Sequence, residues 1–136
     1  MAPFPVDLIQ SDVAVMSGEE GAVSIEIQLR QFTIGDQVVS TSIWLEGVAL
    51  PSFAACDLEE QRFSFPVNPA DGYIDGSIYI GHAHHPVDVT EIVFGSLRGN
   101  LLPATFRARI MFSLEGLDDF DDADCEIATC VRFPAG

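Results

Sequence analysis

Lysine is absent from this 136-residue chain, and its six basic residues, all arginine, face 21 acids for a formal charge of −15. A field of that sign repels phosphate backbones and anionic lipid heads, so nucleic acid and membrane surfaces are excluded as expected partners. A basic protein, a cationic ligand or a metal ion fits the sign. Cysteine is nearly as scarce: Cys56, Cys125 and Cys130 are odd in number and carry no CxxC spacing, which predicts free thiols in a reducing compartment. No run approaches the roughly 18 apolar residues of a spanning helix. The start, from Met1 to Asp7, has no basic region of a secretory signal, so a cytoplasmic protein is expected. Gly-x-Ser-x-Gly elbows and phosphate-cradling glycine loops are missing too, and no Ser or Cys has a recognisable base beside it. No cofactor is implied, and none of the motifs carries a family signature.

What the chain does have is apolar material in alternation. Hydrophobic residues make up 48% of it, ten of them Phe, enough for one core in a single acidic domain spanning residues 1–136. From Thr105 to Leu114, Phe106, Ala108, Ile110, Phe112 and Leu114 fall on one face and Arg107 and Arg109 on the other, the period of a strand with one buried side. The C-terminal stretch repeats the pattern. There Cys125, Ile127, Thr129 and Val131 point inward, with Glu126, Ala128, Cys130 and Arg132 outward. Only Ala54 to Gln61 reads as helical. The prediction is an all-β, single-domain antiparallel β-sandwich or flattened barrel of roughly seven to eight strands, at least about 40% strand and under about 10% helix.

Three hairpins are expected. In the first, Gly35-Asp36 turns the chain, pairing Phe32 with Val39. The alternation of Ile25, Ile27 and Leu29 is then out of phase by one residue, so a bulge near Arg30 and Gln31 is predicted to set these three against Leu45, Ile43 and Thr41. In the second, residues 61–67 and 73–81 flank the turn cluster Asn68 to Gly72. In the third, Arg98-Gly99-Asn100 sets Phe94 against Phe106 and Ile92 against Ala108. A further strand is expected at Leu8 to Met16.

Three constellations are chemically suggestive. Residues 81–88 hold every histidine; His82 and His84, two apart on a strand, sit about 7 Å apart at their Cα atoms, a spacing that suits one metal ion, with His85 or Asp88 completing the shell. Between Glu115 and Glu126, seven of the acids fall within twelve residues. This run suits a basic partner or a hard cation such as Ca²⁺, although it lacks the glycine of an EF-hand loop. Asp118, Asp119, Asp121 and Asp122 are its candidate partner-binding residues, with Phe120 as an apolar anchor among them. Trp44, the one tryptophan, alternates onto a polar strand face and is the second candidate anchor.

Charge and the thin catalytic repertoire point first to a non-enzymatic binding module for a basic protein partner, in an immunity-like or secretion-accessory role. A small metal-dependent enzyme or metal carrier built on His82, His84 and His85 is the alternative, and a structural or assembly subunit the second. The high apolar fraction also predicts a homodimer with Trp44 or another apolar face at the contact.

Overall fold

The computed structural model describes residues 3–19, 21–81, 83–112 and 120–134. Strand accounts for 59% of them and helix for 7%. In chain order the strands are β1 (Ser11–Glu19), β2 (Ala22–Leu29), β3 (Phe32–Ile34), β4 (Gln37–Val39), β5 (Ser42–Val48), β6 (Arg62–Ser64), β7 (Asp75–Ile80), β8 (Ala83–Phe94), β9 (Leu101–Ile110) and β10 (Ala123–Arg132). One helical turn, α1 (Ala55–Leu58), is the short remnant of the helix expected from Ala54 to Gln61.

Seven strands close on themselves in the order β8, β7, β5, β2, β1, β10, β9, with β9 returning to β8. Of the two predicted architectures this is the barrel. Closure removes the open edges that a sheet of this size would otherwise present. All neighbours are antiparallel except β1 and β10, which run parallel at Ala14 to Val131 and Val15 to Arg132. The inward set of each strand fills the interior: Ile25 and Ile27, Ile43 and Leu45, Ile78, Ile92, Phe106, Ile110 and Val131 are all but inaccessible to solvent. Cys125 belongs to this core and Cys130 is half-buried, as alternation required. Phe4 seals one end by packing on Phe112, with ring centroids 4.9 Å apart.

The first hairpin forms with the predicted register. Phe32 opposes Val39, Ile27 opposes Ile43 and Ile25 opposes Leu45, and Leu29 N–H donates to Thr41 O at 3.4 Å. Pairing is interrupted at Arg30 and Gln31 as expected: the β3 and β4 ladder forms its own two-stranded sheet, and Arg30 N–H donates instead to Gln10 O at 2.7 Å. The N-terminal strand is real but begins at Ser11, because residues 6–8 form a 3-10 turn.

Two expectations are corrected. Residues 61–67 do not pair with residues 73–81: β6 lies against Glu91 to Val93 of β8. Both edges of β7 are already occupied, by β5 and β8, so the segment before the Asn68 to Gly72 turn crosses instead to the part of β8 beyond its pairing with β7. In the third hairpin Phe94 opposes Ala104 and Ile92 opposes Phe106, two residues from the expected register. The loop is longer than Arg98-Gly99-Asn100: Gly95 N–H still donates to Pro103 O at 2.8 Å, and Arg98 and Leu101 exchange two hydrogen bonds around the Gly99-Asn100 tip. A two-residue displacement leaves every side chain on its predicted face.

Candidate partner-binding face

The outward residues of β2, β5, β7 and the start of β8 form continuous rows across the barrel wall. Glu26 stands opposite Trp44, Trp44 opposite Ser77, and Ser77 opposite Pro86. In the next row Gln28 opposes Ser42, and Tyr79 opposes His84. On the other side of Trp44, Glu46 opposes Asp75. Trp44 is 48% exposed and Tyr79 45%, so no described element covers the tryptophan.

Serine hydroxyls orient the two glutamates that flank this ring. Ser42 Oγ donates to Glu26 Oε2 at 2.9 Å, and Ser24 Oγ donates to Glu46 Oε2. Among the described residues, Oε1 of each carboxylate keeps its acceptor capacity. Tyr79 rests against His84, ring centroids 4.8 Å apart. Beside it, Val38, Ser40 and Gly81 line a shallow pocket of about 120 Å³ between β4 and the end of β7.

No arginine shares this face. Arg30, just past β2, turns toward β1, where its Nε donates to Asp12 Oδ2 at 2.9 Å and holds that carboxyl below its ordinary range. The others that pair do so on the opposite wall: Arg62 with Glu91 at 3.8 Å, Arg107 with Glu126 at 3.0 Å and Arg109 with Asp124 at 2.9 Å. Arg107 also stands opposite Glu91, and Arg109 opposite Asp88. The β6, β8, β9 and β10 wall is therefore a ladder of alternating charge. A furrow of about 530 Å³ runs over it between the lips Val6 and Val67.

The acidic run near the C-terminus divides differently from the sequence expectation. Asp118 and Asp119 lie outside the described residues. Phe120 is half-buried and packs edge-on to Phe4 at 5.2 Å and against Phe112 at 5.7 Å, so it plugs the barrel end instead of standing free among carboxylates. Asp121 is exposed, and Asp122 contributes with Asp124 to the attraction that raises the Arg109 pKa.

The histidines separate as well. His82 lies outside the described residues. His84 points out and His85 in, because neighbours on a strand face opposite ways. His85 is fully buried, and since a carbonyl only accepts, its Nε2–H donates to Ile80 O at 2.8 Å. Asp88, four residues beyond His84 on the outer face, sits beside Arg109. Among the described residues no three His, Cys, Asp or Glu side chains converge as metal ligands would.

Sequence reasoning singled out Trp44 but not Glu26, Glu46, Asp75 or Tyr79, which the fold sets on the same face. Alternation alone assigns each of them to an outer face; which strands are neighbours depends on closure. Comparison with protein-family models, curated proteins and solved structures gave no match.

Proposed function

We propose that this chain is a non-enzymatic binding module that docks a basic protein on the outer face of β2, β5 and β7. The observation that carries the reading is the placement of Glu26, Glu46 and Asp75 around an exposed Trp44 on a face without arginine. Exposed tryptophan is the residue type most often found as an energetic anchor at interfaces. Uncompensated carboxylates around it steer a cationic partner toward the anchor and reject anionic ones. Through a two-fold contact a second copy of this chain would set the same three acids against themselves. Charge complementarity thus favours a basic partner over self-association on this face. Neutralising or carrying a cationic protein is the role that such a surface fits.

The test compares two triple variants of equal net charge, each changing −15 to −12 by removing three acids. One carries Glu26→Gln, Glu46→Gln and Asp75→Asn. The other carries Asp7→Asn, Asp71→Asn and Asp121→Asn, at exposed sites away from Trp44. With a nona-arginine peptide as probe at low salt, the first variant should associate severalfold more slowly and the second close to wild type. Equal slowing in both would reduce the binding to bulk charge and overturn the proposal.

A further inference from the structure

Resting on that reading, we infer that the face recognises an extended, exposed segment of its partner through an arginine and an aliphatic residue two positions apart. The arginine stacks on Trp44 between Glu26 and Glu46, and the aliphatic side chain seats beside Tyr79 and Val38.

The arginine position follows from three features. Trp44 is 48% exposed, and indole is the strongest of the aromatic surfaces for a cation. Glu26 lies directly across the ladder, where opposed Cβ atoms sit about 5 Å apart, and Glu46 is two residues along the same strand on the same face. Each carboxylate is held by a serine through Oε2, leaving Oε1 for a new donor. A planar guanidinium with donors spread around its rim can stack on the indole and reach both carboxylates at once, whereas an ammonium is a point charge that cannot do both.

The second position follows from the register. Trp44 opposes Ser77, so Tyr79 is its diagonal neighbour, about 7–8 Å away by sheet geometry. Residues two apart in an extended strand are separated by about 6.6–6.8 Å. Val38, 60% exposed, and the Tyr79 ring, braced by His84, stand together on the rim of the small pocket that Ser40 and Gly81 also line, and these two side chains offer the apolar contact for an aliphatic residue.

The experiment uses blocked peptides built of repeated Arg-Thr-Leu units, with Lys-Thr-Leu and Arg-Thr-Ser as comparisons, read by calorimetry and by the emission of the single tryptophan. Arg-Thr-Leu should bind most tightly and shift Trp44 emission, and each comparison peptide should bind about threefold to fivefold more weakly. In Tyr79→Ala the advantage of leucine over serine should vanish while that of arginine over lysine persists. Trp44→Ala should do the reverse. Circular dichroism checks that both variants stay folded. If the acid-to-amide triple variant loses binding but wild-type Trp44 emission does not change at saturation, the stacking geometry is wrong and the docking face stands. If that triple variant binds like wild type, the face itself is wrong. Loss of the leucine preference in neither variant would refute this apolar contact.

Discussion

Glu46 and Asp75 stand directly opposite each other in the β5 and β7 ladder, two exposed carboxylates on a face without arginine. Like charges in that relation are destabilising, by roughly 0.2–1 kcal/mol, and here they stand beside an exposed tryptophan, Trp44. Asp75→Asn should therefore raise stability by about 0.5 kcal/mol at low ionic strength while weakening the cationic probe. Urea denaturation at low and high salt checks the sign, since the gain should shrink as the Debye length falls below about 8 Å.

The approach of β7 to β8 depends on one residue without a side chain. A Cβ at Gly76 would lie 2.3 Å from Val87 O and 3.0 Å from Leu45 Cδ2. Backbone on one side and core on the other leave no room to yield. Gly76→Ala should lose about 2–3 kcal/mol by overpacking, visible as a lowered melting temperature. Wild-type stability in that variant would mean that the two strands are farther apart than described.

Phe120 should behave as core. Its contacts with Phe4 and Phe112 predict that Phe120→Ala loses about 2 kcal/mol, less than the roughly 3–5 of a fully buried Phe. The association rate of the nona-arginine peptide should not change. Slowed association with unaltered stability would return Phe120 to the role of exposed anchor.

The thiols should differ in reactivity according to their burial. Cys56 is exposed, Cys130 half-buried and Cys125 buried, and burial, helped by the charge of Asp124, pushes the Cys125 thiol up to about 11. Maleimide labelling followed by peptide mass mapping should modify Cys56 first and Cys125 only on unfolding.

The same shift sets an alkaline limit. A thiol whose folded pKa is raised from 9.0 to about 11 stabilises the fold fully below pH 9, where both states hold the proton. That contribution disappears as pH rises through 11, because the unfolded chain releases its proton first. The contribution is on the order of 2–3 kcal/mol at most. Between pH 9 and 11 the wild type should lose stability more steeply than Cys125→Ala, and parallel curves would remove Cys125 as the cause.

Which side of each strand faces inward was readable from the chain. Phe106, Ala108 and Ile110, or Cys125, Ile127 and Val131, alternate with polar residues at the strand period, and burial of apolar area is local enough that each strand announces its own inner face. The break in pairing at Arg30 and Gln31 was readable for the same reason: one inserted residue puts two apolar sets out of phase, and both sets face inward only if an extra residue intervenes. Strand order was not encoded locally. Residues 61–67 and 73–81 carry a good turn between them, yet β6 joins β8 because β5 and β8 already hold both edges of β7, a competition settled only when the barrel closes. The same closure decided the electrostatics. Along the chain the acids crowd near residues 115–126, but folding sets Arg107 and Arg109 beside Glu126 and Asp124. It also gathers Glu26, Glu46 and Asp75, scattered over fifty residues of sequence, around Trp44. Composition determined the net charge of −15; the tertiary structure decided where it stands uncompensated, because neutralisation depends on neighbours across strands and these are chosen by closure.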